Sequence, residues 1–321
     1  MLPRPTPGLR VAGAAALGVA AVFSAALGNS FQVRMLRDES SSETSSWLIA
    51  AAVQTNAAVM LSAAVVAYVL FRVARSGQEG LQLSFSRRSL TAAVGHSITS
   101  ALGFGFFLVA VRELTMAKVE TLTLIGPFLL AMTEALWIGS NRSRAVIWPV
   151  LALLGIVFLW NPLEVTEYPV WHIGAALVTA GMWAASITLN KVLAVQQDPI
   201  LGKAVAQNLT ALLLLGVVVV SGELRVLSPG LLIASAMAGL LVSVIPSLLD
   251  IGALRILSKG TYGILKAMAP IIAGVIGYVA LGQELSLFEG IGMVLFSIAV
   301  GGTLWVAGTR EAEKAEGTVQ S

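Results

Sequence analysis

Two charged residues, Asp250 and Lys266, sit deep inside apolar runs where charge is costly and could do chemistry. Ser243, Pro246, Ser247 and Asp250 fall at i, i+3, i+4 and i+7, so one helix face carries a polar stripe that ends in a carboxylate. In the next run Tyr262, Lys266, Ala269 and Pro270 share a face that Gly274 and Gly277 continue. An ionisable side chain at membrane depth costs about 2.5 to 3.5 kcal/mol on insertion scales, which makes each a functional candidate. Two readings stay open. In one, Asp250 binds an ammonium or carries a proton while Lys266 meets a carboxylate; in the other, the two pair with each other and fix two helices. Pro270 frees a carbonyl one turn from Lys266, and interrupted backbone at that depth is tolerated where it lines a cavity. His96 and Ser100 on the third run, Thr123 and Pro127 on the fourth, and Trp183 and Ser186 on the sixth complete the candidate set. His96 reads as a hydrogen-bonder or a proton carrier, and Trp183 as a pocket wall or a packing residue.

Other chemistries lack their residues. Without cysteine there is no disulfide, thiolate metal site or cysteine nucleophile. The two histidines, His96 and His172, form no HExxH, and no Walker sequence or GxSxG occurs. Neither an enzyme nor a cofactor or metal requirement is expected. The net charge of +3 comes from cations in short loops between apolar runs, where they set membrane orientation and do not indicate nucleic acid.

The elements that position these residues are membrane spans. With 57% hydrophobic against 12% charged residues, the chain divides into ten apolar segments, near 11–36, 47–71, 90–111, 114–139, 145–160, 169–190, 201–221, 229–253, 257–282 and 285–308. The segment 257–282 is read as one crossing of roughly 39 Å. The tail 309–321 is charged, and disorder is expected there. Loops on the side of the two termini hold fourteen lysines and arginines, Lys203 among them, against five on the other side, including Lys118. That bias places both termini in the cytoplasm. Lys118 and Glu120 are expected to be solvated at the outer mouth, and Glu134 to lean towards the interface. Asn56 and Asn208 are expected to make matching structural hydrogen bonds.

A weak repeat organises the whole. Ser100 to Gly139 aligns without gaps on Ser243 to Gly282, pairing Ala110 with Ala253, Arg112 with Arg255, Leu122 with Leu265, Pro127 with Pro270 and Gly139 with Gly282. Five spans per half force the second half to enter the membrane the opposite way up, a transporter signature. The expected fold is an all-α integral membrane protein of ten transmembrane helices in two inverted-topology repeats. Its parts are a cytoplasmic N-terminus (1–10), repeats at 11–160 and 169–308, a periplasmic linker (161–168) and a cytoplasmic tail (309–321).

Five-plus-five inverted spans, a glycine and proline inside the fourth and ninth, and a ninth span ending in Leu281, Gly282 and Gln283 resemble the EamA-type transporters of the drug/metabolite transporter superfamily. Gly174 to Lys191, Pro246 to Leu254 and Met268 to Glu284 are most similar to the threonine and homoserine exporter branch. The chain departs from that branch at Gln54, Thr55 and Asn56, where an arginine is usual, and at Ala269, where a glutamate is usual. The resemblance implies a secondary transporter of a bacterial inner membrane, working by alternating access as a monomer or homodimer. It would export a small polar metabolite such as threonine or homoserine in exchange for protons. The alternative on the same fold is an exporter of hydrophobic cations or drugs; a membrane-embedded enzyme or receptor is the reading from another class.

Overall fold

The computed structural model describes residues 7–38, 45–76, 86–126, 128–129, 142–160, 169–196, 198–226, 228–257, 262 and 265–319. All secondary structure among them is helical, with no strand. The helices are α1 (Pro7–Asp38), α2 (Ser46–Ser76), α3 (Arg87–Val111), α4 (Met116–Thr123) and α5 (Arg142–Trp160), followed by α6 (Val170–Ala194), α7 (Pro199–Ser221), α8 (Pro229–Ile256), α9 (Ala269–Leu281) and α10 (Leu287–Val319). Six stretches are long and apolar enough to cross a membrane: Ala12–Leu36, Ser46–Phe71, Arg87–Val111, Val170–Ala194, Pro199–Ser221 and Pro229–Ile256. Ile147–Leu159, Ala269–Leu281 and Leu287–Thr303 are shorter apolar helices. Outward-facing Val66, Leu70, Leu153, Val220, Ile233 and Val279 present the apolar surface that lipid requires.

Local chemistry sets the helix starts. The hydroxyls of Ser86, Thr115 and Ser228 accept from backbone N–H groups three residues on, capping α3, α4 and α8, and Pro199 opens α7 where a missing N–H costs nothing. Two sequence expectations are corrected. The stretch 257–282 is not one continuous helix: a turn at Ala267–Met268 precedes α9, and the Met268 N–H bonds back only three residues, to the Leu265 carbonyl at 3.2 Å. The tail is helical, because its run of alanine, glutamate and lysine has strong helix propensity and α10 continues to Val319.

α4 breaks in the same way. It ends at Leu124, whose N–H reaches the Glu120 and Leu122 carbonyls. Leu124 and Ala267 occupy equivalent places in the aligned stretches, each three residues before a proline. Pro270 has no N–H to give the Lys266 carbonyl, so the α-helical ladder cannot run through this point. Within α8, Leu240–Val244 forms a π-helical turn, closed by the Ile245 N–H to the Leu240 carbonyl, and Pro246 follows it. Ser24 of α1 satisfies the neighbouring Leu241 carbonyl at 2.7 Å.

Each helix before Trp160 packs against helices after Val170: α3 on α6 and α7, α1 on α8 and α9, α2 on α7 and α8, α4 on α9 and α6, and α5 on α10. Close backbone approach depends on glycine at several places, two of which bear on the site and on the α5–α10 contact. A Cβ on Gly28 would lie 2.5 Å from the Val242 nitrogen of the π turn, and one on Gly292 would lie 2.5 Å from the Leu159 nitrogen where α10 meets α5. Gly292→Leu is therefore expected to destabilise the purified protein by about 1 to 3 kcal/mol, read as a lowered thermal midpoint in detergent, because backbone and not a movable side chain stands in the way.

Candidate functional site

A cavity of about 200 Å³ lies where the two groups of helices meet. Ten candidate residues line it: Asp250, Lys266, His96, Ser100, Trp183, Ser186, Ser243, Ser247, Tyr262 and Thr123. Pro270 is buried beside the wall without lining it, and Pro127 lies outside the described residues, as does Glu134.

The face read from the eighth segment turns inwards as a unit. α1 covers the π turn, and Ser243, Pro246, Ser247 and Asp250 all reach the cavity. Lys266 Nζ stands 3.6 Å from Asp250 Oδ1, an ion pair too long for a direct hydrogen bond. Tyr262 packs beside the pair, with the Lys266 ammonium 5.3 Å from its ring centroid. Asp250 and Lys266 thus pair with each other in this conformation.

At another part of the wall His96 joins three helices. Its Nδ1 is 2.9 Å from Ser186 Oγ on α6, its Nε2 is 2.7 Å from Lys203 Nζ on α7, and Ser100 Oγ lies 3.3 Å from Nε2. An ammonium can only donate, so Nε2 accepts from Lys203 and the ring proton sits on Nδ1, donating to Ser186. Trp183 forms a wall, its ring stacked on Phe107 at 5.5 Å and edge-on to Phe104 at 6.4 Å.

Several buried polar positions escaped the reading of the sequence. Lys203 is not a loop cation: it lies inside α7, is 7% exposed, and donates to Asn190 Oδ1 at 3.3 Å as well as to His96. The signal was present, since Asp198–Pro199 marks a helix start and Lys203, Gln207 and Thr210 share its inward face. Glu120 is not solvated either. It is 5% exposed, lines the cavity, and accepts from Asn29 Nδ2 at 2.9 Å. Gln54 takes hydrogen bonds from Ser243 at 3.0 Å and from the cavity-lining Gln207 at 2.5 Å. Asn56 and Asn208 make matching bonds, each to the carbonyl four residues back and to a serine, Ser235 and Ser62 respectively, at 2.9 Å.

The model of the EamA-like transporter family matches residues 170–305. The likeness is to the second half of the chain. The match spans α6 to most of α10 and so includes Trp183, Lys203, Asp250 and Lys266. A solved chain described only as "Crystal structure of protein" superposes with a TM-score of 0.59 over 93% of this chain and 98% of its own, at 17% identity, a likeness of fold alone. No curated protein matches the sequence. The EamA-like match and the apolar helices together fit a multi-pass membrane protein.

Lys118 also proves buried, at 2% exposure, and pairs with Glu289 of α10 at 2.7 Å, outside the cavity. Glu289 caps the start of its own helix as well, accepting from the Ser286 N–H at 2.9 Å. Removing one partner leaves an uncompensated buried charge. Glu289→Gln is expected to cost about 3 to 5 kcal/mol of stability in denaturation of the detergent-solubilised protein, and the double variant Lys118→Met/Glu289→Leu to recover most of it.

Proposed function

We propose that the chain is a secondary transporter that exports a small polar metabolite, an amino acid such as threonine or homoserine, in exchange for protons. The observation that carries this reading is the mixed-sign cavity between the two groups of helices, lined by Glu120, Asp250, Lys203 and Lys266. A zwitterion presents both charges such a wall can meet. Size points the same way: an apolar cavity of about 150 Å³ holds benzene, so 200 Å³ suits a solute of about eight non-hydrogen atoms. Drug-sized ligands need about 300 Å³ or more, and two lysines in the wall oppose a hydrophobic cation, which disfavours the drug-export alternative.

The packing supports a reading as two five-span repeats, residues 11–160 and 169–308 joined by 161–168. The contact of α3 with α6 has a counterpart in that of α1 with α8, α3 with α7 in α2 with α8, and α4 with α6 in α1 with α9. Ser100 and Ser243, Phe104 and Ser247, and Thr123 and Lys266 occupy aligned positions and all line the cavity. On this reading the broken segments 114–139 and 257–282 count as spans, making ten, and transport proceeds by rocking one inverted repeat against the other around the fixed site. Withdrawing Lys203 and Lys118 from the loops leaves the cation bias on the same side, which favours cytoplasmic termini in a bacterial inner membrane. A monomer or homodimer suffices, since one chain encloses the cavity.

Counterflow of labelled amino acids into proteoliposomes tests the proposal. The wild-type protein is expected to exchange a small polar amino acid, and Asp250→Asn and Lys266→Met each to abolish exchange while remaining folded and monodisperse. Full activity in both variants removes these two residues from the site; exchange of lipophilic cations in place of amino acids selects the alternative.

A further inference from the structure

Among the described residues, Lys118, Lys203 and Lys266 turn into the helix bundle and have different surroundings. Lys118 meets Glu289 at 2.7 Å, and Lys266 meets Asp250 at 3.6 Å. Lys203 has no carboxylate within 4 Å among the described residues; its contacts are the neutral acceptors His96 Nε2 at 2.7 Å and Asn190 Oδ1 at 3.3 Å. An ammonium has three N–H donors, so these two acceptors leave a third uncommitted. The side chain is 93% buried by its 7% exposure, and it borders the cavity. Asp250 is already paired with Lys266.

A buried charge without a counter-ion is held at considerable cost, and an anion arriving in the cavity would relieve it. The neighbours are arranged for that arrival. Ser186 and Ser100 fix the His96 ring, the ring and Asn190 fix the direction of Nζ, and both serine hydroxyls border the same space. Nothing negative stands in that group of side chains to compete with an incoming oxygen.

We propose that Lys203, held by His96 and Asn190, is the carboxylate-binding residue of the cavity, in preference to Lys266, whose charge is already paired with Asp250. This deepens the transport reading and rests on it: the solute must carry a carboxylate, with Lys203 as its principal counter-ion.

The probes are the twenty labelled proteinogenic amino acids, tested for counterflow, followed by competition between each exchanged acid and its amide, which differs only in lacking the negative charge. In the wild type the free acid is expected to compete about tenfold or more better than the amide, the scale of a charge-assisted hydrogen bond. Lys203→Met should raise the half-saturation concentration by about tenfold and erase the preference for acid over amide, while Lys203→Arg keeps the preference. A purely structural role would lower the amount of folded protein and leave that preference intact in what remains. Retention of the preference in Lys203→Met overturns the proposal. Equal competition by acid and amide in the wild type overturns it too, and that comparison decides the matter even where Lys203→Met does not fold. Exchange of amines but not acids overturns the carboxylate subsite and leaves transport standing, whereas exchange of no solute defeats the transport reading itself.

Discussion

The structure depends on how charge is compensated away from water. In a bundle whose outer surface is apolar, every lysine and carboxylate that turns inwards must find a partner or be held at a cost of several kcal/mol. Two lysines are matched to carboxylates among the described residues, at Lys118–Glu289 and Lys266–Asp250. The first pair ties α4 to the start of α10 outside the cavity; the second lies within its wall. Glu120, held by Asn29, and Lys203, held by His96 and Asn190, carry charge into the cavity with neutral partners only. That imbalance separates a packed core from a site poised for a charged solute.

The backbone is shaped around the same place. Regular helices would bring uninterrupted ladders past the cavity; here α4 stops at Leu124, a turn at Ala267–Met268 precedes α9, and α8 carries a π turn at Leu240–Val244. Each irregularity falls within a few residues of a wall residue: Thr123, Lys266 and Ser243. Non-helical backbone at this depth is stable only where protein or a water-filled cavity satisfies it, and the Ser24 bond to the Leu241 carbonyl is one such repair. Glycine supplies the close packing that such repairs need, as where Gly28 lies against the π turn.

Much of the site was legible in the sequence because helical spacing is a strong constraint. Four residues at i, i+3, i+4 and i+7 had to share a face, and that face had to avoid lipid, so Ser243, Pro246, Ser247 and Asp250 could be placed together before any coordinates. Lys203 and Glu120 were missed for a common reason. Both lie near the start of a helix, where a run of apolar residues gives no sign whether a charged side chain points out to water or in towards a cavity. Cap residues give the better boundary: Asp198–Pro199 and Thr115 put Lys203 and Glu120 one turn inside their helices. The break before α9 was signalled by Pro270 but hidden by the hydrophobicity of the whole stretch. The helical tail shows propensity prevailing where only charge had been weighed.

The proposed transport requires that one charge-lined cavity between the two groups of helices be reached from both sides of the membrane. The absence of native cysteine makes this directly measurable. A Ser247→Cys variant in oriented vesicles can be exposed to a membrane-impermeant thiol reagent from either side, with and without solute. The account predicts labelling from both faces, with protection by the transported solute; labelling confined to one face under all conditions, or none from either, would contradict it.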